Sequence, residues 1–232
     1  MRGFAHVDTW VFDLDNTLYP ASCRLFDQID VKMGEFVSNL LGIGFAEAKR
    51  LQKDLFYRHG TTLRGLMVEH GVNPGGFLEY VHDIDHSPVL PDLKLDVALH
   101  ALPGRKLIFT NGTVAHAEKV LARLGVTHHF GDIFDIVHSD FIPKPQLEPY
   151  RKFIAGTGIS AETSAMFEDI ARNLEAPHDL GMTTVLVVSP ENHEAAKLNN
   201  ATAGASQLHV HHVTDDLTGF LENIVLRRHA RA

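Results

Sequence analysis

Apolar and polar positions along the chain fall into two regimes. The first apolar run, Trp10-Val11-Phe12, is rich in aromatic and β-branched residues and stops at two carboxylates, Asp13 and Asp15, separated by one leucine. Such a run reads as a buried strand with acid at its carboxyl end. The period then turns helical. Leu25, Ile29, Met33, Phe36 and Leu40 recur at spacings of three and four, and Phe45, Ala48, Leu51 and Leu55 do so again after Gly42-Ile43-Gly44. A third helix is expected over residues 62–70, closed by Gly71, and a fourth from Pro74 to Ile84, with proline where the first helical turn tolerates it. No strand signal interrupts this stretch. Residues 20–88, bounded by Tyr19-Pro20 and Ser87-Pro88, are therefore read as an α-helical module inserted after the first strand, placed to act as a lid.

From Asp92 the pattern alternates between helix and strand. A helix ends near Leu102-Pro103-Gly104, a buried strand runs from Lys106 to Phe109, and a helix carries Val114, Ala117, Leu121 and Leu124 up to Gly125. Strand signals follow at residues 133–137, 165–167 and 184–188, with helical ones at 147–155 and 173–180. Alternation of this kind predicts an α/β fold with a mostly parallel sheet, in which ligands bind outside the carboxyl ends of the strands. The polar stretch from Pro190 through Ser206 is expected to be a surface excursion and residues 215–226 a terminal helix. Arg227-Arg228-His229-Ala230-Arg231 is expected to be a frayed, solvated end.

Composition narrows the class. With 232 residues, 44% of them hydrophobic, the chain can bury a full core. The single Cys23 excludes an internal disulfide or a multi-cysteine metal site, and packing is its expected role. Acidic residues outnumber basic ones, 29 to 21, giving a formal net charge of −8 that disfavours a nucleic-acid polymer or an anionic membrane as partner. The apolar run near the N-terminus is too short for a secretion signal, and nothing later is long enough to span a bilayer, so a soluble cytoplasmic protein is expected. Sixteen histidines, among them His128-His129, His209 and His211-His212, place no His-x-x-x-His on a predicted helix and are assigned no chemistry.

An isolated Asp-x-Asp at a strand end is an ordinary turn. Here polar groups follow three further predicted strands: Thr110-Asn111-Gly112, Lys144 between two prolines, and Glu168-Asp169. Together at one sheet edge they supply what phosphoryl transfer requires: a nucleophile, a cation site, donors for phosphate oxygens and a fixed positive charge.

In order, Asp13-Leu14-Asp15, Thr110, Lys144 and Glu168-Asp169 resemble the four motifs of the haloacid dehalogenase superfamily, and Asp13-Leu14-Asp15-Asn16-Thr17-Leu18 is a highly specific match to the first. The resemblance covers nearly the whole chain. It implies a Rossmann-like core, residues 1–19 and 89–232, carrying an α-helical cap, residues 20–88. Residues 59–66, 81–85 and 102–106 look like the pyrimidine 5′-nucleotidase branch, which implies UMP or CMP as substrate. A phosphosugar or phosphoglycolate-type phosphatase or a phosphomutase of the same fold is the alternative, and an idle binding protein is disfavoured by the intact motifs.

On this resemblance Asp13 is the expected nucleophile and Asp15 the acid and base, a second carboxylate that carbon–halogen-cleaving relatives lack. Mg²⁺ is expected on the Asp13 carboxylate, the Asp15 carbonyl and Asp169, with Glu168 as a further ligand. Thr110 and the amides of Asn111 and Gly112 are expected to cradle phosphate, Lys144 to supply charge, and Asn173 to orient Lys144 or a metal-bound water. Tyr19, Thr62 and Arg64 are the cap-side candidates for contact with a small phosphate monoester.

Overall fold

The computed structural model describes residues 3–202 and 208–229. Its centre is β1 (Thr9–Phe12), every residue of which is buried. Alternate side chains of a strand point to opposite faces. Trp10 and Phe12 therefore enter one core and Val11 the other. β1 pairs in parallel with β2 (Arg105–Phe109) and β4 (Ser164–Glu168), and the six-stranded parallel sheet runs β3-β2-β1-β4-β5-β6, with β3 at Asp132–Phe134, β5 at Thr183–Val187 and β6 at His212–Thr214. The chain grows outward on one side of β1 and then restarts on the other. Loops leaving β1 and its neighbours consequently diverge at the carboxyl edge, where such sheets open a binding crevice.

Helices cover both faces. Leu95 and Leu99 of α5 (Leu93–Ala101), Val120 and Leu121 of α6 (Val114–Leu124) and Leu221 of α10 (Leu217–His229) pack with Phe12 and Phe167, whose rings stack at 4.7 Å. On the other face Tyr150 and Phe153 of α7 (Leu147–Thr157) and the region of α8 (Glu175–Asp179) meet Phe109 and Met166. Each such fully buried side chain contributes roughly 1.5–3 kcal/mol.

Between β1 and α5 lie α1 (Leu25–Leu41), α2 (Phe45–His59), α3 (Thr62–His70) and α4 (Pro74–Val81). They enclose their own apolar cluster of Ile29, Val37, Leu55, Leu66 and Phe77, which Ile136 and Phe141 of the sheet body join from below. Their ends follow local chemistry: the Thr61 hydroxyl accepts from the Arg64 amide at the start of α3, Asn73 caps α4, and Gly42 and Gly71 close α1 and α3 in left-handed conformation.

Several elements differ from the sequence expectation. α4 stops at Val81, so residues 82–88 form the return strap to the body. β3 ends at Phe134 because the buried Asp135 carboxylate gathers the amides of Val114, Val137 and His138 and turns the chain. The helix expected at 173–180 is a 3-10 turn followed by short α8; Pro177 has no amide to offer Asn173, whose carbonyl takes the Tyr150 hydroxyl instead at 2.6 Å. The stretch read as a surface excursion contains α9 (His193–Thr202), which touches the site; residues 203–207, Ser206 among them, lie outside the described residues. The basic tail is helical through His229, with Arg228 donating to the carbonyls of Phe4 and Val7; Ala230 and Arg231 lie outside the described residues. No described helix is long and apolar enough to cross a membrane.

Candidate active site

At the carboxyl edge of β1 the chain delivers Asp13 into a buried cluster. Lys144, on the loop after β3, reaches under it and is 1% exposed. Its ammonium spends all three donors, on Asp13 Oδ1 (2.7 Å), Glu168 Oε1 (2.9 Å) and the Phe109 carbonyl (2.9 Å). The loop is held by Asn111, whose Oδ1 accepts from the Lys144 amide at 2.9 Å. Glu168, the last residue of β4, has both oxygens occupied: Oε1 also takes the Asn173 amide at 2.7 Å, and Oε2 takes the Ile170 amide at 2.8 Å. Asn173 thus orients Lys144 through Glu168, and Glu168 is placed as the lysine's anchor.

Three carboxylates, Asp13, Glu168 and Asp169, crowd around this one ammonium, which bonds only the first two. Burial works against the charge on Glu168, but Lys144 outweighs it and holds the carboxyl below its ordinary range. For Asp13 burial wins over Lys144, helped by Glu168 and Asp15, and pushes the group up to about 7. Burial and the neighbouring Glu168 and Asp13 charges raise Asp169 well above its usual value. Burial also opposes the Lys144 charge, yet Asp13 and Glu168 keep the ammonium firmly protonated.

The deficit of positive charge fits a divalent cation. Asp13, Glu168 and Asp169 each present an oxygen within 4.8 Å of the others. Asn173 Oδ1 is buried without a donor among the described residues, an acceptor suited to a metal-bound water. Asp169 is steadied by Asn192, whose amide donates to Oδ2 at 2.7 Å while its own carbonyl caps α9 through the Ala195 amide at 3.1 Å. Oxygen-only ligands of this kind suit Mg²⁺.

The loop after β2 presents Thr110, 1% exposed. The Gly112 amide, expected to face phosphate, is taken by Thr110 Oγ1 at 2.9 Å, which leaves the hydroxyl hydrogen free to point into the cavity. Two amides of the first turn of α6 are likewise consumed, Val114 by Asp135 and His116 by Thr113. The Thr110 hydroxyl and the Asn111 amide remain among the donors this loop offers to the cavity.

Asp15 faces the same space. Its Oδ1 accepts from the Tyr19 hydroxyl at 2.5 Å and meets His116 Nε2 at 2.9 Å. Burial alone raises its pKa, but the charge and hydrogen bond of His116 and the hydroxyl of Tyr19 more than offset that and lower it. Tyr19 is thus buried against Asp15 and does not line the cavity, a correction to its expected role in substrate contact. His116 touches this carboxylate although the sequence assigned the histidines no chemistry. It lies on the inward face of α6 with Ala117 and Val120, directly beside Ala117, a position already read as buried. His82 stacks on its ring at 4.7 Å and His86 Nε2 meets its Nδ1 at 3.1 Å, and these two form a His-x-x-x-His that straddles the end of the predicted fourth helix. Asn192 had a signal too: an Asn before His-Glu-Ala-Ala is a helix start.

Above the cluster a cavity of about 380 Å³ opens beneath the helices, with Phe26, Met33, Phe56 and Leu63 in its wall and Gln52 and Thr62 among them. Thr62 donates to the Gln52 carbonyl at 3.2 Å. Arg64, half-buried, does not line this space. Gly60, at φ +88°, lies on the lysine loop: a Cβ there would stand 3.2 Å from Pro143.

A parallel α/β sheet with a buried carboxylate–lysine cluster at its carboxyl edge, roofed by helices, defines a class of hydrolases. Residues 7–181 match the haloacid dehalogenase-like hydrolases, and the chain belongs to that family. It is 28% identical over 193 residues, 75% of its own length, to Phosphate metabolism protein 8 of Saccharomyces cerevisiae, and spans 60% of that relative. In fold it is similar to a HAD phosphatase from Thermococcus onnurineus, with TM-score 0.60 and 14% identity over 94% of this chain and 98% of the other. It is equally similar to the HAD-hydrolase YfnB from Bacillus subtilis bound to magnesium, with TM-score 0.59 and 16% identity over 94% and 98%.

Proposed function

We propose that this hydrolase is a Mg²⁺-dependent phosphomonoesterase that works through an aspartyl-phosphate on Asp13 and acts on pyrimidine nucleoside 5′-monophosphates, UMP and CMP. The observation that carries the chemistry is the convergence of Asp13, Asp15, Thr110, Lys144 and Asp169 on the wall of one cavity. Mg²⁺ would be held by the carboxylates of Asp13 and Asp169 and the Asp15 carbonyl, and would neutralise phosphate charge that Lys144 alone cannot. The magnesium in the YfnB structure supports that choice.

The Thr110 hydroxyl and Asn111 amide orient the phosphate. An Asp13 oxygen attacks phosphorus while the bond to the ester oxygen breaks, and Asp15, a carboxylate in the free protein that takes up a proton as the phosphate anion enters beside it, gives that oxygen the proton. Asp15, now a carboxylate, takes a proton from water as the water attacks phosphorus, breaking the bond to Asp13 and releasing phosphate. The second carboxylate favours phosphate esters over carbon–halogen bonds.

For the leaving group, a space of about 380 Å³ lies near the small end of ligand sites. It suits a ribose and one pyrimidine ring against Phe26 and Phe56 better than a purine. Catalytic efficiencies on UMP, CMP, AMP, GMP, phosphoglycolate and glucose 6-phosphate, with Mg²⁺ and with chelator, test both levels. UMP and CMP are expected to lead. A lead for phosphoglycolate or glucose 6-phosphate would overturn the nucleotide assignment, and undiminished turnover in chelator would overturn the metal dependence.

A further inference from the structure

Asp15 owes its orientation to a histidine chain that starts on the strap joining the helical layer to the body. His86 Nδ1 faces the Ile84 carbonyl at 3.1 Å. A carbonyl only accepts, so Nδ1 carries the hydrogen and, in the neutral ring, Nε2 is an acceptor. Burial and the His116 charge lower the His86 pKa, which keeps that ring neutral. His86 Nε2 lies 3.1 Å from His116 Nδ1, which must therefore donate. His116 Nε2 meets Asp15 Oδ1 at 2.9 Å and donates to it when both ring nitrogens carry hydrogen. His82, at the end of α4, covers the ring face at an interplanar angle of 16° and approaches Thr113 Oγ1 at 3.4 Å. Burial and the His116 charge push His82 down to about 4, so it too packs as a neutral ring.

Every freedom of the His116 ring is thereby removed, and its side chain is fully buried. With Oδ1 tied to both His116 and Tyr19, Asp15 can offer only Oδ2 to a substrate. That oxygen faces the phosphate loop: a Cβ at Gly112 would stand 3.7 Å from it. Two of the histidines belong to the segment that carries the cap, and the third to the body.

We propose that His116 is the positioning residue of Asp15, and that His82 and His86 on the cap strap hold it there, so that seating the cap sets the aim of the proton donor. The inference rests on the phosphomonoesterase reading. It predicts that loss of His116 acts through Asp15 alone and falls hardest on leaving groups that need a proton.

The test is a double-mutant cycle on two esters that differ in leaving group, phenyl phosphate and p-nitrophenyl phosphate, followed by single-turnover release of the phenol with Mg²⁺. H116A is expected to slow release from phenyl phosphate on the order of ten- to a hundredfold, to slow the nitrophenyl ester far less, and to change KM less than kcat. H116Q, whose amide can still donate to Oδ1, is expected to recover part of the loss. H86A, which leaves His116 in place, is expected to show the same leaving-group signature at smaller size, and serves if H116A does not fold. In a D15N background H116A or H86A should cost nothing further. Equal slowing of both esters, or full additivity with D15N, would overturn the proposal while leaving the phosphatase reading intact. Absence of turnover of either ester by the wild-type protein would remove both.

Discussion

Lys144 carries one positive charge against two carboxylates at hydrogen-bond distance, and replacing it strands both. Lys144→Met should abolish turnover and destabilise the fold by about 3–5 kcal/mol, the cost of leaving buried charge unpaired, read as a fall in denaturation midpoint. A midpoint equal to wild type would show that the ion pairs contribute no net stability. Asp13 behaves in the opposite sense. Its pKa is raised from the ordinary 3.8 to about 7, so in metal-free protein its ionisation costs stability, fully above that pH, less as pH falls below it, and not at all below the unfolded value of 3.8. A cation that needs the carboxylate competes with the proton. The Mg²⁺-induced rise in melting temperature should therefore be larger at pH 8 than at pH 6, and a rise independent of pH would contradict the ligand role. Asp13→Asn should lose turnover yet melt no lower than wild type at pH 8 without metal.

The proposed catalytic carboxylates and the lysine were readable because each follows an apolar strand run. His116 was not. A histidine on an apolar helix face has no charge signature of its own, and its meaning came only from Asp15, distant in sequence, folding against it.

At the scale of elements, β1 to β5 were legible to within a few residues because their apolar runs are dense and bounded, whereas β6 (His212–Thr214) has no apolar run and was not read. α9 was missed because its inward face is thin: Asn192 and Ala195 are buried, while Glu191, Glu194 and His193 are polar, so no helical period emerges. Asn192 both caps that helix and steadies Asp169, and substitution can separate the two roles. Asn192→Ser keeps a capping oxygen, so the helix should lose less than the ~1 kcal/mol a lost cap costs, while the missing amide donor should raise the Mg²⁺ concentration for half-maximal activity several-fold. An unchanged Mg²⁺ requirement would confine Asn192 to capping. The early end of α4 and the turn at Asp135 were set by tertiary hydrogen bonds that periodicity does not register.

At the scale of the molecule, the helical layer has its own apolar cluster, which Ile136 and Phe141 of the body join, and polar contacts tie it to the body elsewhere. Lys53 and Tyr57 reach Glu194 on α9 at 3.1 Å each, and Arg172 lies over the Phe56 ring at 4.8 Å. Exposed ion pairs of this sort contribute at most about 1 kcal/mol, so Glu194→Ala should leave the melting temperature nearly unchanged. Gly60 is the tighter joint. Gly60→Ala forces a side chain onto a left-handed residue and against Pro143, and should raise KM for a phosphate ester more than it lowers stability. A KM equal to wild type would show that this loop does not seat the cap. The run of helices between β1 and α5 was legible from the change of period after Asp13, whereas the seat of those helices on the Pro143-Lys144 loop depends on three-dimensional closure.

The central claim is that Asp13 becomes phosphorylated during turnover. The most direct measurement mixes the Asp15→Asn variant, impaired in hydrolysing the intermediate, with an activated ester such as p-nitrophenyl phosphate and Mg²⁺. The mixture is quenched in acid, and the phosphoryl group is located by mass spectrometry of the digested protein. One phosphoryl group per chain, on the peptide carrying Asp13 and absent when Asp13 is also Asn, is the predicted result. Rapid release of nitrophenolate with no phosphoryl group on Asp13, or with the group on another residue, would contradict the account.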